Sequence, residues 1–276
     1  MAVVQIRRLF PIAASICILA GCVNSMVPGA PVPQFANWPE GVNGMRIRWT
    51  AEPGVDLLTG PVVPVRAYFE SWFIGFLTRT AGDKLYPGFD SAVPDAELRP
   101  EHSFTTKDGP FFGTEALHVI EVALRPREVG QRTGDSSDVY MVYLCESRFN
   151  VFHPSPHQPG KYESLDAQTL VGTLMPWRIM VKPPNAGVSK LPPQSGPLPA
   201  PRGDVFGGWT ITDVNADWAN MSETDRDDYN QHDQQCKRTS STTSDERIKI
   251  SSTLLDSPPA PQSAVPGWPD ADSAKL

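Results

Sequence analysis

Two histidines at a metal-binding spacing are the first candidates for chemistry in this sequence. His153 and His157 lie four residues apart, a spacing that places two imidazoles on one face of a helix. Pro154 and Pro156 prevent that helix, because proline removes a backbone donor and clashes with the preceding turn. We therefore expect a loop here and no metal ligands.

An acidic stretch further along the chain partly matches a calcium-binding loop. Asp213, Asn215 and Asp217 occupy the first, third and fifth positions of that pattern. Trp218 stands where the sharp turn needs glycine, and Thr224 stands where a bidentate glutamate is needed. The sequence therefore predicts no metal site, and no other motif indicates a cofactor.

Patterns typical of catalysis are missing as well. The sequence contains no Gly-x-Ser-x-Gly turn that would present a nucleophilic serine. No pair of carboxylates stands out as a general acid and base. The sequence predicts no catalytic residue and favours a protein that is not an enzyme.

The strongest predicted element is a helix over residues 61–80. Pro61 suits the first helical position, and apolar residues follow at three- and four-residue spacing. These residues are Val62, Val65, Phe69, Trp72, Phe73 and Phe76. Such a broad apolar stripe needs a sheet or another helix to cover it.

The remaining patterns predict a sheet. Strands are expected over residues 45–50, 116–124, 139–146, 169–181 and 205–212, and a polar helix over residues 223–238. The 139–146 strand is apolar on both faces, so it should be central and covered on both sides. This order predicts an α+β domain in which a curved antiparallel sheet wraps the long N-terminal helix. The element order is similar to that of NTF2-like and cystatin-like folds.

Folds of this kind often enclose a ligand between helix and sheet. Tyr68, Trp72, His118 and Tyr143 are the candidate lining residues, because each carries a polar group on an element that should face inward. The alternative is that these four side chains fill the core.

Proline-rich segments flank and interrupt the predicted domain. Residues 22–40 suit an extended tether, and residues 257–276 suit a poorly ordered tail. A single ectodomain is expected over residues 41–256. The proline-rich stretch 183–201 is either a surface crossing or a boundary, and we favour a crossing because the strand that follows it needs a sheet to join.

The N-terminal residues have the order of a secretory signal peptide. Arg7 and Arg8 precede an apolar run that ends in small residues at Gly21, so residues 1–21 are expected to be cleaved. The sequence LAGC at residues 19–22 resembles the bacterial lipobox, in which the cysteine is acylated and the chain is cut before it. Acylation of Cys22 would anchor the chain in the lipid bilayer on the extracytoplasmic face of the cell membrane. The alternative is an ordinary signal peptide with an incidental cysteine.

The two cysteines that remain are expected to pair. Cys17 leaves with the signal peptide and Cys22 is acylated, so Cys145 and Cys236 have one possible connectivity in an oxidising compartment. The alternative is two separate buried thiols.

The net charge of −7 excludes one class of partner. Cleavage after residue 21 removes Arg7 and Arg8 and no acid, so the mature chain is more acidic still. An acidic surface gives no electrostatic reason to bind nucleic acid.

Four further stretches carry a family resemblance. They are VRAYFESW (residues 65–72), LYPGF (85–89), GDVFGGW (203–209) and AVPGWP (264–269). With the lipobox, they resemble a family of exported actinobacterial lipoproteins, chiefly mycobacterial, of unknown function. The resemblance implies a location in the cell envelope and a related fold, and it assigns no active-site residue. We expect a non-catalytic module that binds an envelope protein; the alternative is a small-ligand or enzymatic site between helix and sheet.

Replacement of Cys22 by alanine should release the protein from the membrane, because the chain would lose the thiol that carries the lipid. Cell fractionation and mass spectrometry of the N-terminal peptide would check this outcome. Cys17→Ala is the matched control, since that residue lies in the cleaved segment. Unchanged membrane partitioning of Cys22→Ala would contradict the prediction.

Overall fold

The computed structural model describes residues 34–125, 138–168, 170–186, 190–215 and 223–270. All of these residues fall within one unit of the chain, Pro33–Leu276. Cys22 and the predicted signal peptide lie outside the described residues. No helix in the described ranges has the length and apolar character needed to cross a bilayer.

The described residues form four α-helices and seven strands. The helices are α1 (Val62–Thr78), α2 (Phe89–Ala92), α3 (Glu223–Thr239) and α4 (Ser244–Ser252). The strands are β1 (Gly44–Ala51), β2 (Phe112–Arg125), β3 (Val139–Ser147), β4 (Val151–Pro154), β5 (Tyr162–Ser164), β6 (Met175–Lys182) and β7 (Thr210–Asn215).

The strands form one strongly curled sheet. Its order is β5-β4-β2-β3-β6-β7, and β1 pairs in parallel with the other edge of β2. The remaining pairs are antiparallel. Strand β3 lies between β2 and β6, with Val142 and Leu144 in the main core and Tyr143 and Cys145 on the opposite face. The predicted α+β fold with a curved sheet is confirmed.

Helix α1 is enclosed on nearly every side. Only Trp72, Phe76 and Thr78 are partly exposed along its length. The predicted apolar stripe accounts for the side that faces the sheet. The opposite side is covered by loops and by the C-terminal segment, and this covering buries Arg66 and Glu70.

Glu70 is the point at which distant parts of the chain meet. Its carboxylate accepts hydrogen bonds from Trp49 Nε1 at 2.8 Å, from Trp268 Nε1 at 2.6 Å and from the Tyr86 hydroxyl at 3.0 Å. Burial raises the pKa of Glu70 to about 7, against the lowering effect of Arg66 and of the three donors. The three donors come from β1, from the C-terminal segment and from the loop after α1.

Arg66 lies one turn earlier on α1 and bonds to backbone carbonyls. Its guanidinium donates to the carbonyl oxygens of Leu57, Gln194 and Pro266 at 2.8 to 3.0 Å. The same group lies 4.4 Å from the ring centroid of Trp268, within cation–π range. The helix is therefore tied to the proline-rich crossing and to the C-terminal segment.

Residues 257–270 pack on the domain, in contrast to the disordered tail predicted over residues 257–276. Residues 271–276 lie outside the described residues. Trp268 is fully buried and exchanges backbone hydrogen bonds with Leu198 at 2.8 and 3.1 Å. The carbonyl of Val265 accepts from the backbone N–H of Trp49 at the edge of β1. Prolines suit such an extended edge segment because the backbone N–H that each proline lacks is not needed on the side that faces away from the sheet. The proline content suggested disorder, but the buried indole fixes the segment.

The predicted tether also ends earlier than residue 40. Trp38 is buried and donates from Nε1 to the Val42 carbonyl at 3.0 Å. The Arg46 guanidinium lies 5.3 Å from the ring centroid of Phe35 and 5.7 Å from that of Trp38. The packed domain thus begins near residue 35, six residues before the predicted boundary. The rest of the tether lies outside the described residues.

Some elements are shifted or were not predicted. Strand β7 begins at Thr210 and not at residue 205, because Val205 and Phe206 are buried side chains of the preceding loop. Strands β4 and β5 are too short for an alternating pattern to be visible. Helix α4 is mostly polar, but a capping box between Thr243 and Glu246 marks its start.

A disulfide joins β3 to α3. Cys145 and Cys236 are bonded, with their Cα atoms 5.5 Å apart, so the predicted pairing is confirmed. Helix α3 is polar along most of its length and lies on the outer face of the sheet, where the His232 ring stacks on Tyr143 at 3.8 Å. Because the helix buries few apolar side chains, the disulfide is a main contribution to its docking. Closing a loop of 91 residues contributes about 4–5 kcal/mol in the chain-entropy description.

A variant with serine at both positions 145 and 236 should unfold more easily than the natural chain, by about 2–5 kcal/mol. Denaturant titration with and without a thiol reductant would measure this difference. Reductant should lower the stability of the natural chain and leave the double variant unchanged. Equal stability of the two chains without reductant would contradict the prediction.

Candidate functional site

Two of the four predicted pocket residues are part of the packed interior. Tyr68 is buried, donates its hydroxyl to the Leu98 carbonyl at 2.8 Å and stacks with Phe89. Trp72 stacks with Phe76 and packs edge-on against Trp177 of β6. Neither Tyr68 nor Trp72 lines one of the clefts described below, so these two side chains fill space in the packed interior.

Tyr143 lies on the opposite face of the sheet, beneath α3. Its hydroxyl donates to Asp228 Oδ2 at 3.0 Å, and its ring is covered by His232. Burial and the neighbouring Asp228 raise the pKa of Tyr143 to about 12. The hole beside it has a volume of about 20 Å³, which is room for one water molecule. Tyr143 therefore supports the docking of α3.

His118 is the one predicted pocket residue that lines a sizeable opening. Its Nδ1 lies 2.8 Å from Thr50 Oγ1, and its Nε2 lies 3.1 Å from Glu52 Oε1. Because a carboxylate only accepts hydrogen bonds, Nε2 donates to Glu52, while Nδ1 lies within hydrogen-bond distance of the threonine hydroxyl. The two contacts fix the orientation of the imidazole.

The opening beside His118 is a cleft of about 340 Å³, here called the outer cleft. It lies between the outer face of the sheet and the chain that follows α3. The disulfide contributes to its wall. Its lining residues are Thr50, Ala116, Leu117, His118, Cys145, Ser147, Phe149, Asn150, Leu174, Cys236, Thr239, Ser240, Ser241 and Thr242.

A larger cleft of about 470 Å³ opens where α1 begins, and we call it the mouth cleft. Its walls come from the start of α1, the start of β3, the loop before β7 and the proline-rich crossing between β6 and β7. Its lining residues are Leu58, Thr59, Gly60, Pro61, Val63, Pro64, Tyr140, Pro183, Pro184, Asn185, Ala186, Lys190, Leu191, Pro192, Gly207 and Trp209. None of the four predicted pocket residues is among them.

The mouth cleft is lined by rings and prolines. Tyr140 and Trp209 pack edge-to-face with their centroids 5.7 Å apart, and five prolines contribute to the walls. Lys190 is the one charged side chain among its described lining residues. The sequence analysis missed Tyr140 and Trp209; the available signal was an aromatic residue next to each strand start, close to turn residues.

Two glutamates form a buried pair that the sequence analysis missed. Glu115 of β2 and Glu146 of β3 are both fully buried on the α1 side of the sheet. Trp177 Nε1 donates to Glu146 Oε2 at 2.7 Å, and Arg148 bonds Asp166 through Nε at 2.9 Å. Burial, with the nearby Glu146 charge, raises the pKa of Glu115 well above its usual range. Burial and the neighbouring carboxylate therefore favour the protonated form of Glu115.

This glutamate pair is sealed from solvent and lines neither cleft. General acid–base chemistry needs a carboxyl group within hydrogen-bond reach of the substrate. The pair therefore acts within the fold. The sequence pattern did not show it because residues 31 apart become neighbours only when β2 pairs with β3.

The histidine motif forms no metal site. His153 is buried on β4 with its Nε2 3.7 Å from Glu163 Oε1, while His157 is exposed. Within the described ranges, no group of three or more His, Cys, Asp or Glu side chains is arranged to hold a metal ion. Asp217 of the calcium-like pattern lies outside those ranges.

Comparison with protein-family models, with curated proteins and with solved structures returned no match. The function is therefore argued from the chemistry of the clefts.

Glu115→Gln should make the protein more stable at alkaline pH and leave its stability near pH 4 almost unchanged. In the unfolded chain this carboxyl ionises near its ordinary pKa of 4.5, whereas the folded protein holds the proton to higher pH. The free energy of unfolding therefore falls as the pH rises above about 4.5. Glutamine mimics the protonated acid and removes this loss.

Urea unfolding at pH 4 and pH 8 would check this outcome. Glu97→Gln, at an exposed position, is the matched control and should change little at either pH. A lower stability of Glu115→Gln at pH 8 would show that the ionised carboxylate is the native form.

Proposed function

We propose that this chain is a lipid-anchored, extracytoplasmic binding protein whose ligand occupies the mouth cleft. The observation that supports this function is a 470 Å³ cleft walled by aromatic rings and prolines. Small-molecule sites have volumes of roughly 300–1,000 Å³ and mostly apolar walls with few polar groups. The volume of the cleft lies in this range, and its rings and prolines supply apolar surface.

The lining chemistry favours a ligand with a flat apolar group. Trp209 and Tyr140 present partly exposed rings, which bury large apolar areas on contact. The described lining residues include no carboxylate, so a cationic ligand would have no counter-charge there. Lys190 allows a neutral or negative polar group on the same ligand. We expect a small, mainly apolar molecule of this kind.

The same lining argues for binding without catalysis. None of its described members is a histidine, cysteine, aspartate or glutamate. Those side chains supply most general acids, bases and nucleophiles. A cleft without them can bind and release a molecule but has few groups to transform it.

The rigidity of the walls supports a preformed site. The crossing is held by Arg66 through the Gln194 carbonyl, and the chain before α1 is held through the Leu57 carbonyl. The Gln194 N–H donates to the Leu58 carbonyl at 2.8 Å. Walls fixed by buried hydrogen bonds reduce the entropy lost on binding.

The anchor is proposed from the sequence. The lipobox cysteine precedes a predicted tether, which would hold the packed domain close to the extracytoplasmic face of the cell membrane. A ligand in this compartment would be an envelope component or a solute that passes through the envelope. An envelope protein that docks on the surface is the alternative partner.

Trp209→Ala and Tyr140→Ala should each weaken binding of a neutral apolar probe, N-phenyl-1-naphthylamine, by about tenfold, because one ring contact is worth about 1.4 kcal/mol. Fluorescence titration of the full chain in mild detergent would measure the change, after subtraction of the probe signal in detergent alone. Trp209→Phe keeps a ring and should retain most of the affinity.

His118→Ala, which alters the outer cleft, is the control and should bind the probe like the natural chain. Thermal unfolding of every variant would verify that the fold is kept. Equal probe binding by Trp209→Ala and the natural chain would exclude the mouth cleft as the site.

A further inference from the structure

We propose that the outer cleft is a second binding site and that its ligand is a neutral saccharide. The two clefts share no lining residue, so this inference is independent of the proposed function.

The side chains around the outer cleft are mainly hydroxyls and one amide. Seven of the fourteen lining residues carry such a group: Thr50, Ser147, Asn150, Thr239, Ser240, Ser241 and Thr242. Hydroxyls and amides both donate and accept hydrogen bonds. This property matches a ligand that itself carries many hydroxyl groups, since each ligand hydroxyl also needs a donor and an acceptor.

The charge of the lining favours a neutral ligand. His118 is the one titratable side chain among the lining residues, apart from the two bonded cysteines. A charged ligand that leaves water needs a counter-charge, and the cleft wall supplies no carboxylate, lysine or arginine. Phosphorylated and carboxylated ligands therefore fit this cleft poorly.

An apolar surface lies among these polar groups. Phe149, Leu174 and the Cys145–Cys236 bridge are buried and line the same cleft. A pyranose ring has an apolar face of C–H groups and a rim of hydroxyls. An opening with an apolar surface and hydroxyl-bearing neighbours is complementary to both parts.

His118 is a positioning residue in this site. Glu52 accepts from Nε2, and Nδ1 lies 2.8 Å from Thr50 Oγ1, so the imidazole holds the threonine hydroxyl in place. A hydroxyl oxygen has two lone pairs, so Thr50 Oγ1 can also accept from a ligand hydroxyl. Thr50 is exposed on β1, and Asn150 and Ser241 are exposed on the other walls of the cleft.

The disulfide holds the two walls together. Cys145 belongs to the sheet wall, and Cys236 belongs to the last turns of α3, which lead directly into residues 239–242. The Ser240 N–H donates to the Cys236 carbonyl at 3.2 Å. The position of the hydroxyl-rich wall therefore depends on the bridge.

Binding of the full chain in mild detergent to an array of neutral and acidic glycans would test the proposal. The neutral probes are oligosaccharides of glucose, mannose and galactose. We expect retention on at least one neutral probe and weaker retention on its sulfated or carboxylated counterpart. Retention on none of the neutral probes, or on acidic probes alone, would overturn the proposal.

Calorimetry with the best neutral probe would then assign the site. Thr50→Val keeps the shape and removes the hydroxyl, and Asn150→Ala removes the amide; each should weaken binding by about tenfold. Thr212→Val, an exposed hydroxyl on β7, and Trp209→Ala in the mouth cleft should bind normally. Unchanged affinity in both Thr50→Val and Asn150→Ala, with their melting temperatures preserved, would show that the outer cleft is not the site.

Discussion

The fold depends on one buried carboxylate, that of Glu70, on a helix that is covered on nearly every side. Glu70 lies in the centre of the molecule, and an ion in that position must be hydrogen-bonded or neutralised. Its three donors and the backbone partners of Arg66 come from β1, the loop after α1, the proline-rich crossing and the C-terminal segment. The hydrogen bonds of Arg66 and Glu70 thus fix the relative positions of segments up to about two hundred residues apart. Three of the four stretches that suggested a family resemblance contain residues of this network.

The same enclosure explains where the openings lie. Aromatic side chains fill the space between α1 and the sheet, as the contacts of Phe69 with Trp49 and Trp177 illustrate. The mouth cleft is therefore found at the start of α1, and the outer cleft lies on the outer face of the sheet. On the outer face, a polar helix held by a disulfide leaves a gap with hydroxyl groups around it. At the start of α1, prolines and rings contribute to the walls of a chemically different gap.

The buried acids lie apart from both clefts. Glu115 lies beside Glu146, and Arg148 donates from Nε to Asp166 at the same end of the sheet. These groups are enclosed in the core, and none of them lines the mouth cleft or the outer cleft. The described lining residues of the two clefts include no carboxylate, whereas the core contains several. This separation between the buried acids and the clefts supports the binding role proposed for the mouth cleft.

The sequence by itself determined the elements with strong local signals. The spacing of Phe69, Phe73 and Phe76 predicted α1, the apolar run at residues 139–145 predicted a central strand, and the two remaining cysteines predicted the disulfide. Local patterns carry this information because a helix or a strand repeats at a fixed period. The sequence did not reveal that α1 is buried on its polar side, that Trp268 completes the core, or that Tyr68 and His118 belong to opposite faces of the sheet. Those facts depend on contacts between residues far apart in the chain, such as Arg66 with Pro266, and proline content even pointed the other way at the C-terminus. The clefts were decided by the tertiary structure alone, because an opening is the space that packed elements leave between them, and no local pattern encodes it.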